Sequence, residues 1–166
     1  VAAVSYFVVP MFQLTHPYPP WFARGFGPLL MLLVLIWSVL WLLDEASLAQ
    51  GAGVLLALAC AALGSMTLWL QYTRRRKIDD ATSLNFRVAM IALLTFAVSA
   101  VLMAIQPQIA DDPRAAVWLG MLAFPGVFVS TISGMIYKIT PFLNGLHLQR
   151  LGAPISAVPN MKKMIP

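Results

Sequence analysis

Four long apolar runs, separated by short polar clusters, set the pattern of this chain: residues 28–43, 51–72, 84–105 and 113–138. Each lies near the ~20 residues that cross the hydrocarbon core of a bilayer as a helix. A fifth apolar run, residues 1–14, is too short to span; it reads as the last part of a spanning helix, interrupted at Pro10. The pattern predicts an all-α integral membrane protein. It has four transmembrane helices, a truncated N-terminal helix and a short interfacial C-terminal segment. Residues 1–166 then form one helical membrane domain, with 139–166 as its tail.

The polar clusters supply the boundaries. Asp44-Glu45 makes a tight acidic turn between the first two spans. Asp79, Asp80, Thr82 and Ser83 stand ahead of the third span, where acidic and hydroxyl groups suit a helix N-terminus. Asp112 before Pro113 predicts an N-cap followed by a proline at a position whose N–H has no partner anyway. Pro125, beside Gly126, predicts a kink within the fourth span. After Thr140, Pro141 predicts a break, and the residues beyond it alternate imperfectly between apolar and polar, as a segment lying in the interface does.

Composition agrees. The chain is 60% hydrophobic and 10% charged, with a mean hydropathy of +0.82; a soluble domain carries about 25% charged residues. The net charge of +5 does not point to nucleic acid, because the basic residues sort by loop. Arg24, Arg74, Arg75, Arg76, Lys77, Arg87, Lys138, Arg150, Lys162 and Lys163 fall on one side. Arg114 alone falls on the other, with Asp44, Glu45, Asp111 and Asp112. The positive-inside rule then makes the Arg74–Lys77 loop and the C-terminal tail cytoplasmic. The Arg74–Lys77 run reads as a topology anchor, with anionic lipid as its other use. The abrupt start and end point to missing sequence, as in a fragment of a longer chain. Cys60, the lone cysteine, excludes an internal disulfide and reads as a small packing residue.

Small residues recur at four-residue spacing. Gly53, Ala57, Ala61 and Ser65 line one face of the second span, and Gly126, Ser130 and Gly134 do so in the fourth. Such strips let two helix backbones approach closely, so these are the candidate helix-packing residues, against helices of this chain or of a neighbouring subunit. Thr95 and Ser99 can bond across helices or to their own carbonyls. No Asp, Glu, Lys, Arg or His stands in the middle of a full span, and ion pathways and proton relays use such groups. No Ser–His–Asp set, HExxH or phosphate loop is present, so no catalytic residue is assigned.

The two histidines, His16 and His147, both fall at the basic side of the membrane. Paired imidazoles at one depth are what a b-type haem needs, so these are the candidate cofactor ligands, although Pro17 makes the support of His16 poor. The other reading, and the favoured one, is that the stretch Gly134 to Gly152 is simply where a helix leaves the membrane. Tyr18, Trp21 and Phe22 suit an interfacial aromatic belt. Met161 and Met164 could serve as soft copper ligands, without a Cys or His beside them.

At Gly134-Met135, Tyr137-Lys138, Pro141-Phe142-Leu143, His147-Leu148-Gln149 and Pro159-Asn160-Met161-Lys162 the chain resembles a group of bacterial polytopic membrane proteins in the haem–copper oxidase subunit I-like superfamily. The resemblance covers about the last 33 residues, with a vaguer likeness near the start. It implies a bacterial inner membrane and a respiratory or nitrogen-oxide setting. The several membrane-embedded histidines that such oxidases use for two haems and a copper are not in this sequence.

Together these features lead to the expectation of a non-catalytic multi-spanning membrane subunit or domain, packed in lipid against other membrane subunits of a larger, respiratory complex. Two alternatives stand beside it: a haem b electron-transfer protein using His147 and His16, and one part of a transporter.

Overall fold

A computed structural model describes residues 2–13, 15–73 and 81–150 of the chain. Every regular element among them is helical: α1 (Ala2–Gln13), α2 (Pro20–Leu42), α3 (Ala46–Tyr72), α4 (Ala81–Ile105), the short α5 (Pro107–Ala110), α6 (Pro113–Met121), a π-helical segment (Leu122–Val129) and α7 (Ser130–Arg150). Among the described residues four stretches are long and apolar enough to cross a membrane: Pro20–Leu42, Ala46–Tyr72, Ala81–Ile105 and Pro113–Gly145. The molecule is an all-α membrane protein.

The ends of these helices follow from local chemistry. α2 begins at Pro20, a proline in the first turn, where the missing N–H costs nothing. It ends at a turn in which Asp44 takes φ 58°, the left-handed region that Asp tolerates better than most residues. Asp112 caps α6 as expected, its carboxylate accepting the Arg114 N–H at 2.9 Å.

Three prolines behave differently from the sequence expectation. Pro28, which should open the first span, lies inside α2, because Phe22 and Phe26 are buried and stacked at 4.4 Å and hold the preceding turns helical. Pro10 does not interrupt α1; buried Val8, Val9 and Gln13 hold the helix on both sides of it. Pro141 does not break α7 either. The pyrrolidine is buried and the helix runs on to Arg150. In each case packing on the flanking turns outweighs one lost backbone bond.

Pro125 does change the helix. The π segment forms around it, and the Ser130 hydroxyl, five residues on, donates to the Pro125 carbonyl at 3.1 Å. A wider turn of this kind is a usual answer to a disrupted hydrogen-bond ladder.

The long helices pack side by side in chain order: α2 on α3, α3 on α4, and α4 on the π segment and α7. No extensive contact joins α2 to α4 or α3 to α7, so the helices form a row rather than a closed bundle. α1 lies against α3 and α2. Cross-row contacts fix the levels. Gly53 faces Trp37, Gly64 faces Leu94, Gly126 faces Ala92, and Gly134 faces Asn85 and Phe86. Gln50 donates to the Ala104 carbonyl at 2.7 Å, and Trp118 Nε1 donates to Ser99 at 3.1 Å. Neighbours are therefore antiparallel. One end of the row carries Asp44, Glu45, Asp111 and Asp112; the other carries Arg24, Arg87, Lys138 and Arg150. These are called the acidic and the basic end.

Candidate functional site: buried polar groups at the basic end

In an apolar molecule the informative residues are the buried polar ones. Among the described residues these are Ser5, Gln13, Thr67, Gln71, Thr82, Ser83 and Thr131. Most of them gather towards the basic end. One group joins α1, the α1–α2 linker and α3. Tyr18, 5% exposed, meets Thr67 with 2.9 Å between hydroxyl oxygens. Thr67 gives its own proton to the Leu63 carbonyl at 2.7 Å, so Tyr18 is the donor between the two. One turn further along, Gln71 Nε2 donates to Gln13 Oε1 at 3.0 Å, both side chains being almost wholly buried. Gln13 Nε2 and Gln71 Oε1 are also buried and bond to nothing among the described residues, as does the Tyr6 hydroxyl.

Aromatic packing closes this group. Tyr6 meets Tyr18 edge to face at 5.1 Å and Phe22 at 6.2 Å, and Phe22 stacks on Phe26. Burial pushes the Tyr18 phenol up to about 12, with neighbouring Tyr6 adding a little. Tyr18 is therefore a neutral donor at all physiological pH values. The expected aromatic belt is divided: Trp21 is exposed, whereas Tyr18 and Phe22 are core residues. Tyr18 on the linker and Phe22 in the first turn of α2 pack against Tyr6 of α1, and Tyr18 bonds Thr67 of α3.

The second group lies between α4 and α7. Thr82 and Ser83 are inside the first turn of α4 and fully buried, not ahead of the helix. Thr131 donates to the Val127 carbonyl at 2.7 Å. The Arg87 guanidinium lies 5.8 Å over the ring of Tyr72, an exposed residue of the last turn of α3. Such a cation–aromatic contact lets a charge near the membrane edge snorkel outward.

The sequence-selected residues are placed as follows. Gly53 faces Trp37 of α2, Ala57 is buried, Ala61 is half-buried, and Ser65 is exposed with its hydroxyl on the Ala62 carbonyl. Gly64, beside that strip, makes the close approach to α4, 3.1 Å from a built Cβ to Leu94. Gly126 and Gly134 both face α4 closely, and Ser130 between them is engaged with Pro125. Thr95 bonds its own helix at Ile91, whereas Ser99 bonds across to α6. Cys60 is a half-buried free thiol packed at the core.

His16 is exposed on the α1–α2 linker, where the Thr15 hydroxyl donates to its carbonyl. His147 is exposed near the end of α7 and lines an open groove of about 330 Å³ with Leu143, Asn144 and Arg150. α7 packs on α4, while α1 and α2 pack on α3, so the two histidines stand on different parts of the row. Among the described residues no three His, Cys, Asp or Glu side chains gather as a metal site. Arg74–Lys77, Asp79, Asp80, Met161, Lys162, Lys163 and Met164 lie outside the described residues.

Sequence reasoning missed the Tyr18–Thr67 and Gln13–Gln71 pairs. Their signal was present: Thr67 and Gln71 are one turn apart on α3, and polar groups in an apolar run turn inward. What was not legible is that α1 would supply the partner. The arrangement is suited to holding neutral hydrogen bonds between helices. No family model, curated protein or solved structure matches the chain.

Proposed function

We propose that this chain is a non-catalytic multi-spanning subunit or domain, set in a bacterial inner membrane with its basic end cytoplasmic, that packs into a larger helical assembly. The observation that carries this reading is the open edge of the row. Only 6% of the most apolar window of α2 is buried within the chain, although the helix is among the longest present. Met31, Leu35, Trp41 and Leu42 are all more than half exposed. Trp37 and Trp41 with Ser38 and Leu42 shape a shallow recess there. α3 and α4 show what a covered helix looks like in this protein: alanine and glycine at the contact, polar groups bonded across it. The open face of α2 has no such small-residue strip, so a partner there packs on the relief of its large side chains, the Trp37–Trp41 recess among them.

The orientation rests on the charge asymmetry of the two ends. The respiratory setting rests on the resemblance of residues 134–166 alone.

The test is photo-crosslinking in cells, with a photoreactive residue placed in turn at Met31, Leu35 and Leu42. Protein adducts of one discrete mass are expected from these positions. Lipid adducts alone, with a monomer mass in nanodiscs, would overturn the proposal. A reduced-minus-oxidised spectrum with a Soret band lost in His147→Ala would replace it with haem-mediated electron transfer.

A further inference from the structure

The contacts across the row place its side chains by depth, and this locates the lipid phosphates. On α4 the stretch from Arg87 to Gln106 is nineteen residues, about 28 Å of helix, close to the ~30 Å hydrocarbon core. Gly126 on Ala92 and Gly134 on Asn85 and Phe86 put Arg87 level with Thr131 of α7. Gly64 on Leu94 and Gly53 on Trp37 put it within about one turn of Arg24 on α2. Arg24 is exposed, and the half-buried Arg87 has its guanidinium 5.8 Å over the ring of Tyr72, which is itself exposed. Two guanidinium groups thus stand at one level, a hydrocarbon thickness away from the acidic end.

We propose that Arg24 and Arg87 meet the phosphates of the leaflet at the basic end, and that α7 beyond Lys138 is a helical stalk standing in water. α7 does not stop where α4 begins. From Thr131 to His147 it advances another sixteen residues, about 24 Å along its axis. Even at a tilt of about 40°, the upper end for membrane helices, His147 rises roughly 18 Å above the level of Arg87. The outward reach of an arginine plus a headgroup layer of about 5–8 Å covers less than that. The groove of Leu143, Asn144, His147 and Arg150 therefore opens to solvent. His147 serves the aqueous side of the protein and does not sit at the depth of a membrane-embedded haem. The inference rests on the membrane reading but not on the partner proposed for α2.

The test uses the full chain with Cys60→Ala and single cysteines at Val98, Ile132, Leu143, Asn144 and His147. Each is spin-labelled in nanodiscs of phosphatidylcholine and phosphatidylglycerol. Collision with oxygen should dominate at Val98, while a water-soluble nickel complex should dominate equally at Leu143, Asn144 and His147, with Ile132 between. Depth values for Leu143 and Asn144, 100° apart on the helix, that fall on opposite sides of the headgroup level would overturn the stalk, because a difference between an apolar and a polar face is the signature of a helix lying in the interface. Nickel dominance at Val98 would instead sink the membrane reading itself. In a second arm, Arg24→Gln should lower the preference for spin-labelled phosphatidylglycerol over phosphatidylcholine about fivefold, the value of one surface charge. Arg87→Gln should do likewise, and Arg87→Lys should restore it. An unchanged preference in both Gln variants would remove the phosphate contact.

Discussion

Gly126→Ala is the sharpest probe of how α7 is held. A Cβ built at Gly126 stands 2.9 Å from the Cβ of Ala92, where ordinary carbon–carbon contact is about 3.5–4.0 Å. Neither group can rotate away, since each is fixed to its backbone. The π segment and α4 must therefore separate by roughly 0.6–1 Å, loosening the Gly134 contact with Phe86 as well. Overpacking of this kind costs about 1–3 kcal/mol, and the better helix propensity of alanine returns about 1. A net loss of about 0–2 kcal/mol is expected, about 1–3 kcal/mol worse than an alanine that meets nothing. Gly120→Ala is the control, because a Cβ there meets nothing within 4 Å, and it should be neutral or slightly stabilising. Ala92→Gly removes the opposing methyl, costs about 1 kcal/mol alone, and should rescue Gly126→Ala with a coupling of about −2 kcal/mol. Reversible unfolding in bicelles, followed by steric trapping, reads all four. If Gly126→Ala matches Gly120→Ala, or if the coupling lies within 0.5 kcal/mol of zero, the α4–α7 contact has been misjudged.

The same method separates the two members of the Tyr18–Thr67 bond. Tyr18→Phe should cost only about 0.5–1.5 kcal/mol, since Thr67 keeps its bond to Leu63, whereas Thr67→Val orphans a buried phenol and should cost about 1–3. Thr67→Val costing less than Tyr18→Phe would reverse the assigned donor. The raised Tyr18 value also sets a pH dependence. The folded state holds the phenolic proton more tightly than the unfolded one, so stability is flat below pH 10 and falls as pH rises from 10 towards 12. That decline should be smaller in Tyr18→Phe, measured by unfolding at stepped alkaline pH. Asp112→Ala removes the cap from α6 and should lower stability by about 0.5–2 kcal/mol, with Asp112→Asn retaining most of it.

The spanning helices were legible because nothing but length and apolarity decides them. The Asp112–Pro113 start was legible because capping is local. Proline was read less well. Pro28 and Pro141 carry start and stop signals that are valid for an isolated helix, and both lie inside helices here because Phe26 on one side and the α4 contact on the other hold the flanking turns. The small-residue strips pointed to the correct helices but not to every facing residue. Gly64, one position before Ser65, makes the close contact while Ser65 faces outward, and a single step on a helix is a 100° rotation that hydropathy does not register. The buried polar group was the least legible part. Gln13 and Gln71 are 58 residues apart, and only the return of α1 against α3 brings them together.

The row of helices also bears on the order of assembly. With the exception of α1 against α3, each spanning stretch packs on the span made just before it, so most contacts are short-range in the chain. Little loop-closure entropy opposes such pairings, and chains of this kind fold fast. As the helices enter the membrane in turn, α3 finds α2 waiting and α4 finds α3. α7 then docks on an α4 face, the strip around Ala92 and Phe86, already held from behind by Gly64 of α3. Lesions at that strip should therefore delay only the last step of insertion, leaving the first three helices paired.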